Sequence, residues 1–87
     1  MRTSPTRAGP TTSIVFDLPM GTTVTLEVFD LLGRRVTTLA DGRYPAGTHT
    51  IDWDLREARG TRARPGVYVY RLTTGQFTAQ RKLTVLP

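Results

Sequence analysis

The chain has 87 residues and no cysteine, and its twelve basic and seven acidic residues give a formal net charge of +5. A chain this short makes one small domain, and without cysteine it can hold neither a disulfide nor a zinc site with thiolate ligands. Lys82 is the only lysine among the basic residues, and such an arginine-rich balance fits either a solvated surface or an acidic partner such as nucleic acid, anionic lipid or acidic polysaccharide.

Met1 to Thr12 contains Arg2 and Arg7 but no apolar core of a secretory signal, so any export signal is expected on a longer parent chain. No apolar run approaches the roughly 20 residues of a membrane helix. Residues 1–11 are rich in Thr, Pro, Arg, Ser and Gly. They read as a flexible linker tail, and residues 12–87 read as the folded module.

The first strand is expected over Thr12 to Leu18, with Ile14, Phe16 and Leu18 on one face, and Pro19 to Gly21 reads as a turn. Val24, Leu26 and Val28 then alternate with Thr25, Glu27 and Phe29, the period of a strand with one buried face. At Asp30 the alternation stops. A carboxylate there can accept hydrogen bonds from backbone N–H groups two residues on, and Gly33 supplies a residue able to take positive φ. Val36 restarts the apolar pattern, and a second hairpin strand is expected to reach Leu39. Ala40 to Gly47 carries the turn signals Asp41-Gly42 and Pro45-Ala46-Gly47 and reads as a loop.

His49, Ile51 and Trp53 alternate with Thr50, Asp52 and Asp54 in the next strand. Leu55 to Pro65 is polar, with Arg56, Arg59, Arg62 and Arg64, and fits a crossover loop between two sheets. Gly66 opens the strand Val67 to Thr73, which is apolar on both faces and therefore reads as central. Thr74 to Gln76 is a short hairpin loop before a last strand, with Phe77, Ala79, Leu83 and Val85 in phase. Arg81 interrupts that phase, so it emerges at a sheet edge or pairs with a carboxylate. Six or seven short strands separated by turn residues, with no helical period, give an all-β fold. It is expected to be an immunoglobulin-like antiparallel β-sandwich, without the cysteine–tryptophan–cysteine pattern of antibody domains.

Little in the sequence suggests catalysis. His49 is the only histidine and has no sequence neighbour suited to metal binding or base chemistry, so a packed or surface role is favoured. Asp52, Asp54 and Glu57 match no known calcium-ligand spacing and read as a solvated strand face. Trp53, Tyr68 and Tyr70 fit either an aromatic platform for sugar rings or the large side chains of a sandwich core, and the core is favoured. The glycines at strand boundaries show no phosphate-loop spacing. No cofactor or metal is expected, and the arginines fit no nucleic-acid motif.

Several segments together carry a resemblance. They are Pro10 to Pro19, Val24 to Val36 with its D-x-x-G-R-x-V run, Pro45 to Gly47, Trp53, Pro65 to Leu72 with its G-V-Y-x-Y-R-L run, and Arg81 to Leu83. In this order they resemble the type A C-terminal sorting domain of type IX secretion and, closely related, the Ig-like domain of the flagellar hook-capping protein. The resemblance spans roughly residues 10 to 86.

It implies a non-catalytic C-terminal module that sorts or attaches a secreted enzyme, such as a glycosidase or another hydrolase, to the bacterial outer surface. The implied partners are the secretion or attachment machinery of the outer membrane, with anionic surface polysaccharide as a further candidate, and a monomer is expected. The positions that match the motifs are Asp30, Gly33, Arg34, Val36, Gly47, Gly66, Val67, Tyr68 and Lys82. The alternatives are a carbohydrate-binding module and a structural Ig-like spacer or assembly domain. The strand Asp52-Trp53-Asp54 and the arginine-rich loop after it lie closer to the hook-cap branch.

Overall fold

The computed structural model describes residues 3–8 and 11–87. Seven strands follow one another: β1 (Thr3–Ala8), β2 (Thr11–Leu18), β3 (Thr22–Asp30), β4 (Arg35–Tyr44), β5 (Gly47–Trp53), β6 (Gly66–Thr74) and β7 (Thr78–Val85). Every pairing is antiparallel, and the strands form two sheets, ordered β1-β2-β5 and β4-β3-β6-β7. This is the expected all-β, Ig-like sandwich.

The alternating residues supply the core. Ile14, Phe16 and Leu18 of β2 face inward, as do Val24, Leu26 and Val28 of β3, Tyr70 and Leu72 of β6, and Leu83 and Val85 of β7. Each such side chain contributes about 1.5–3 kcal/mol by leaving water. Trp53, at the end of β5, is buried against β6, and its ring meets Tyr68 edge-on at 5.8 Å. These two rings join the sheets.

Three elements depart from the sequence reading. First, Thr3–Ala8 pairs with β2, from Thr3 opposite Phe16 to Ala8 opposite Thr11. That part of the expected linker tail is therefore an edge strand. A ladder along β2 does not require an apolar alternation, and an edge strand tolerates a residue such as Pro5. Residues 1, 2, 9 and 10 of the expected tail lie outside the described residues.

Second, β4 continues through the expected loop, with Asp41 opposite Thr25 and Gly42 opposite Val24, so only Pro45 and Ala46 connect it to β5. Register shifts on β4 leave Leu39 and Val36 without a partner on β3. Such bulges break the period of two, so the alternation does not mark the full length of the strand. Third, β6 is central, between β3 and β7, but only one of its faces is buried. Val67, Val69 and Arg71 lie on the outer surface at intermediate or greater exposure.

The segment 54–65 does cross from one sheet to the other. It is more ordered than its polarity suggests. Leu55 and Ala63 are buried, the Ala63 N–H donates to the Leu55 carbonyl at 2.7 Å, and Arg56 bridges Arg62. Leu55 has φ of 62°, a left-handed conformation costly for a branched side chain and tolerated here because that side chain fills the core.

Candidate functional site

The β3–β4 turn is built on Asp30. Its Oδ1 accepts the N–H groups of Leu32 (2.9 Å) and Arg34 (3.0 Å), and its Oδ2 accepts Arg34 Nε at 2.9 Å. The Gly33 N–H donates to the Asp30 carbonyl, and the Asp30 N–H donates to the Arg34 carbonyl, both at 3.0 Å. Gly33 has φ of 82°, as expected for a three-residue hairpin loop closed by a left-handed glycine. The Asp30 carboxyl is held below its ordinary value. The Arg34 N–H does most, helped by the Arg34 guanidinium and the Leu32 N–H and opposed by partial burial.

Asp30 faces Tyr68 across the β3–β6 ladder. The Tyr68 hydroxyl donates to the Arg64 carbonyl at 2.7 Å. Burial raises its pKa above the ordinary value, and the Glu57 and Asp30 carboxylates push the same way. It is therefore a neutral donor at physiological pH. The bulge at Val36 frees its carbonyl from the ladder, and Ala58 N–H of the crossover donates to it at 3.1 Å. The crossover is thereby pinned against β4.

These contacts enclose an open pocket of about 510 Å3 lined by Asp30, Arg34, Arg35, Val36, Glu57, Arg64 and Tyr68. Three guanidiniums, two carboxylates and a phenol make it a polar surface suited to charged or hydrogen-bonding groups. Among the described residues, no three His, Cys, Asp or Glu side chains gather as metal ligands.

Four of the nine residues singled out from sequence (Asp30, Arg34, Val36 and Tyr68) line this pocket. Gly33 lies in the adjoining turn, and Gly66 and Val67 begin β6 at the same end of the sandwich. Gly47 does not join them. It pairs with Leu18 at the opposite end. Lys82 sits on β7 opposite Val69, in a shallow outer-face groove with Gln80 and Arg81. Arg35, Glu57 and Arg64 were not singled out. Their only sequence signal was membership of, or closeness to, the arginine-rich segments.

The other candidates are structural. Trp53, Tyr68 and Tyr70 are 1%, 8% and 0% exposed, so they form no platform for sugar rings. Trp53 Nε1 donates to the Arg56 carbonyl at 2.9 Å. His49 Nε2 is 2.7 Å from the Pro45 carbonyl, and the ring packs against Phe16 and Tyr44. Asp52 accepts the Ser13 hydroxyl at 2.6 Å, and Asp54 accepts the Arg56 N–H at 3.1 Å. Arg81 lies exposed on the edge strand β7, its guanidinium donating to the Gln80 carbonyl at 2.7 Å.

The FlgD Ig-like domain model matches residues 3–76, from β1 to the β6–β7 loop. The chain belongs to the FlgD Ig-like domain family. Two solved structures share its fold. Dimeric latent PorU from Porphyromonas gingivalis aligns with a TM-score of 0.77 at 17% identity, over 97% of this chain and 9% of that one. FlgD from P. aeruginosa aligns with a TM-score of 0.69 at 24% identity, over 94% of this chain and 63% of that one. The chain thus spans less than two thirds of either protein. No curated protein sequence matches it. The family match begins at Thr3 and so takes in β1.

Proposed function

We propose that this FlgD-type Ig-like domain is a non-catalytic module that sorts or attaches a secreted enzyme, such as a glycosidase or another hydrolase, to the bacterial outer surface. The observation that carries the reading is convergence. Asp30, Arg34, Val36 and Tyr68 come from two separate motifs of the sequence that resembles type IX sorting domains, and they line one pocket. Asp30 and Tyr68 also hold the fold, but the Arg34 side chain that shares the pocket with them is 74% exposed, and a charged group held on a rigid sandwich suits recognition by a partner. The partner would be the secretion or attachment machinery of the outer membrane, with anionic surface polysaccharide as the alternative ligand of the arginines.

The test is to fuse the whole chain to the C-terminus of a periplasmic reporter in a bacterium that has type IX secretion. The reporter is expected at the cell surface, accessible to added protease, and Arg34→Ala should lower the surface fraction without unfolding the domain. A reporter retained in the periplasm overturns the sorting reading. It would favour the second reading, an Ig-like spacer or assembly domain, which draws support from the FlgD-type family match.

A further inference from the structure

Five large hydrophobic side chains are exposed among the described residues: Met20, Leu31, Leu32, Val67 and Leu86. Only Met20 lies at the end formed by the β2–β3 turn. The other four lie at the end that holds the Asp30 turn. Leu31 and Leu32 are the most exposed, at 66% and 78%, and they occupy the two central turn positions, where polar residues, glycine or proline are usual. Single exposed leucines are ordinary, but two adjacent ones at the apex of a turn are informative. The five hydrogen bonds in which Asp30 takes part fix the backbone beneath them. The leucines are therefore held out into solvent, not folded back onto the core.

Basic groups flank this apex. Arg34 and Arg35 follow it directly, with side chains 74% and 63% exposed, and Arg64 lines the pocket beside them. Residues 30–35 and 54–65 together hold six arginines against three carboxylates; Arg34 pairs with Asp30 at 2.9 Å and Arg35 with Glu27 at 3.6 Å, and both arginine side chains stay more than half exposed. A convex apolar tip has no preformed groove of its own. It suits a deformable apolar medium whose surface is anionic, where leucines enter the acyl boundary and guanidiniums remain at the phosphates.

We infer that the Leu31-Leu32 turn is a membrane-docking tip that seats this end of the domain on an anionic lipid surface. The inference does not depend on sorting, and its test needs no secretion machinery. Purified chain is mixed with vesicles of phosphatidylcholine alone or with added phosphatidylglycerol, and flotation measures the bound fraction. Binding is expected only to the anionic vesicles and should weaken with salt. Leu31→Ser with Leu32→Ser should reduce affinity by roughly tenfold or more, and Arg35→Gln or Arg64→Gln by about fivefold each. Met20→Ser, at the other end, should change nothing.

All five substituted residues are exposed, so thermal unfolding should show that the variants fold. Failure to bind anionic vesicles overturns the inference and points to a protein partner for the tip. Equal binding to zwitterionic vesicles overturns it as well, as does a leucine variant that binds like the unaltered chain.

Discussion

At one end of the sandwich the strands are joined by Pro19 to Gly21, by Pro45-Ala46 and by Gly75 to Phe77, none of which is charged. At the other end, the Asp30 turn and the crossover 54–65 are rich in charged residues and line most of the pocket. The uncharged end is closed by packing. Phe16, Tyr44 and His49 meet ring to ring at 5.2 to 6.2 Å, and the Gly75 N–H donates to Thr22 Oγ1 across two loops at 3.1 Å. The charged end buries Trp53, Leu55, Ala63 and Tyr68, and the hydrogen bonds of the Asp30 turn and of the crossover hold its backbone while leucines and arginines turn outward. Both ends stand on the same strands, so the difference comes from the connections alone. One end is closed by packed rings, and the other displays charged side chains at the surface.

The largest effect that can probe this contrast is at Trp53, which serves both the core and the charged end. Trp53→Ala should cost about 3–5 kcal/mol of unfolding free energy in urea. Because its indole N–H holds the Arg56 carbonyl, amide exchange should also accelerate at Ala58 and Ala63 more than at Gly75. Uniform acceleration at both ends would mean that the crossover does not hang on the tryptophan.

A smaller loss is expected at Gly33. A Cβ there would meet no atom within 4 Å, so the cost is backbone strain alone. Gly33→Val should destabilise by about 1–3 kcal/mol, while Gly33→Asn, which tolerates φ near 82°, should lose much less. Thermal unfolding of the two variants decides. Equal losses would show that the left-handed conformation is not what the glycine supplies.

The sequence reveals these two ends to different degrees. β2 and β3 were legible because each buries one face, which writes an alternation into the chain, and the Asp30–Gly33 turn was legible because its chemistry is local. β4 was legible only in its first half, where the strand expected over Val36 to Leu39 falls; its continuation to Tyr44 was hidden because the bulges at Val36 and Leu39 put its partly buried residues out of phase and pairing with β3 overrides the turn signal of Asp41-Gly42. β1 is recruited by a ladder and leaves no apolar trace. In the pocket, Asp30 and Arg34 could be found from one short motif. Glu57 and Arg64 could not, because they reach it through a crossover whose path is set by long-range contacts, among them the Ala58 N–H on the Val36 carbonyl.

The smallest and most specific effect concerns the charge on Asp30. A carboxylate whose pKa is lowered by folding binds its proton less readily in the folded chain than in the unfolded one. Its stabilising contribution is therefore complete above the ordinary carboxylate range and is lost as pH falls through the folded value. Asp30→Asn keeps an oxygen that can accept the Leu32 and Arg34 N–H groups but removes the charge facing Arg34. The variant should be slightly less stable than the unaltered chain at neutral pH, and the gap should close in acid.

Salt should narrow the same gap at neutral pH, because the Arg34–Asp30 pair is exposed. Urea unfolding of both chains across a pH series measures the gap directly. A gap that stays constant down to strong acid would mean that the turn depends on the hydrogen-bonding shape of residue 30 and not on its charge. The charged end would then resemble the uncharged one in how it is held, differing only in what it displays.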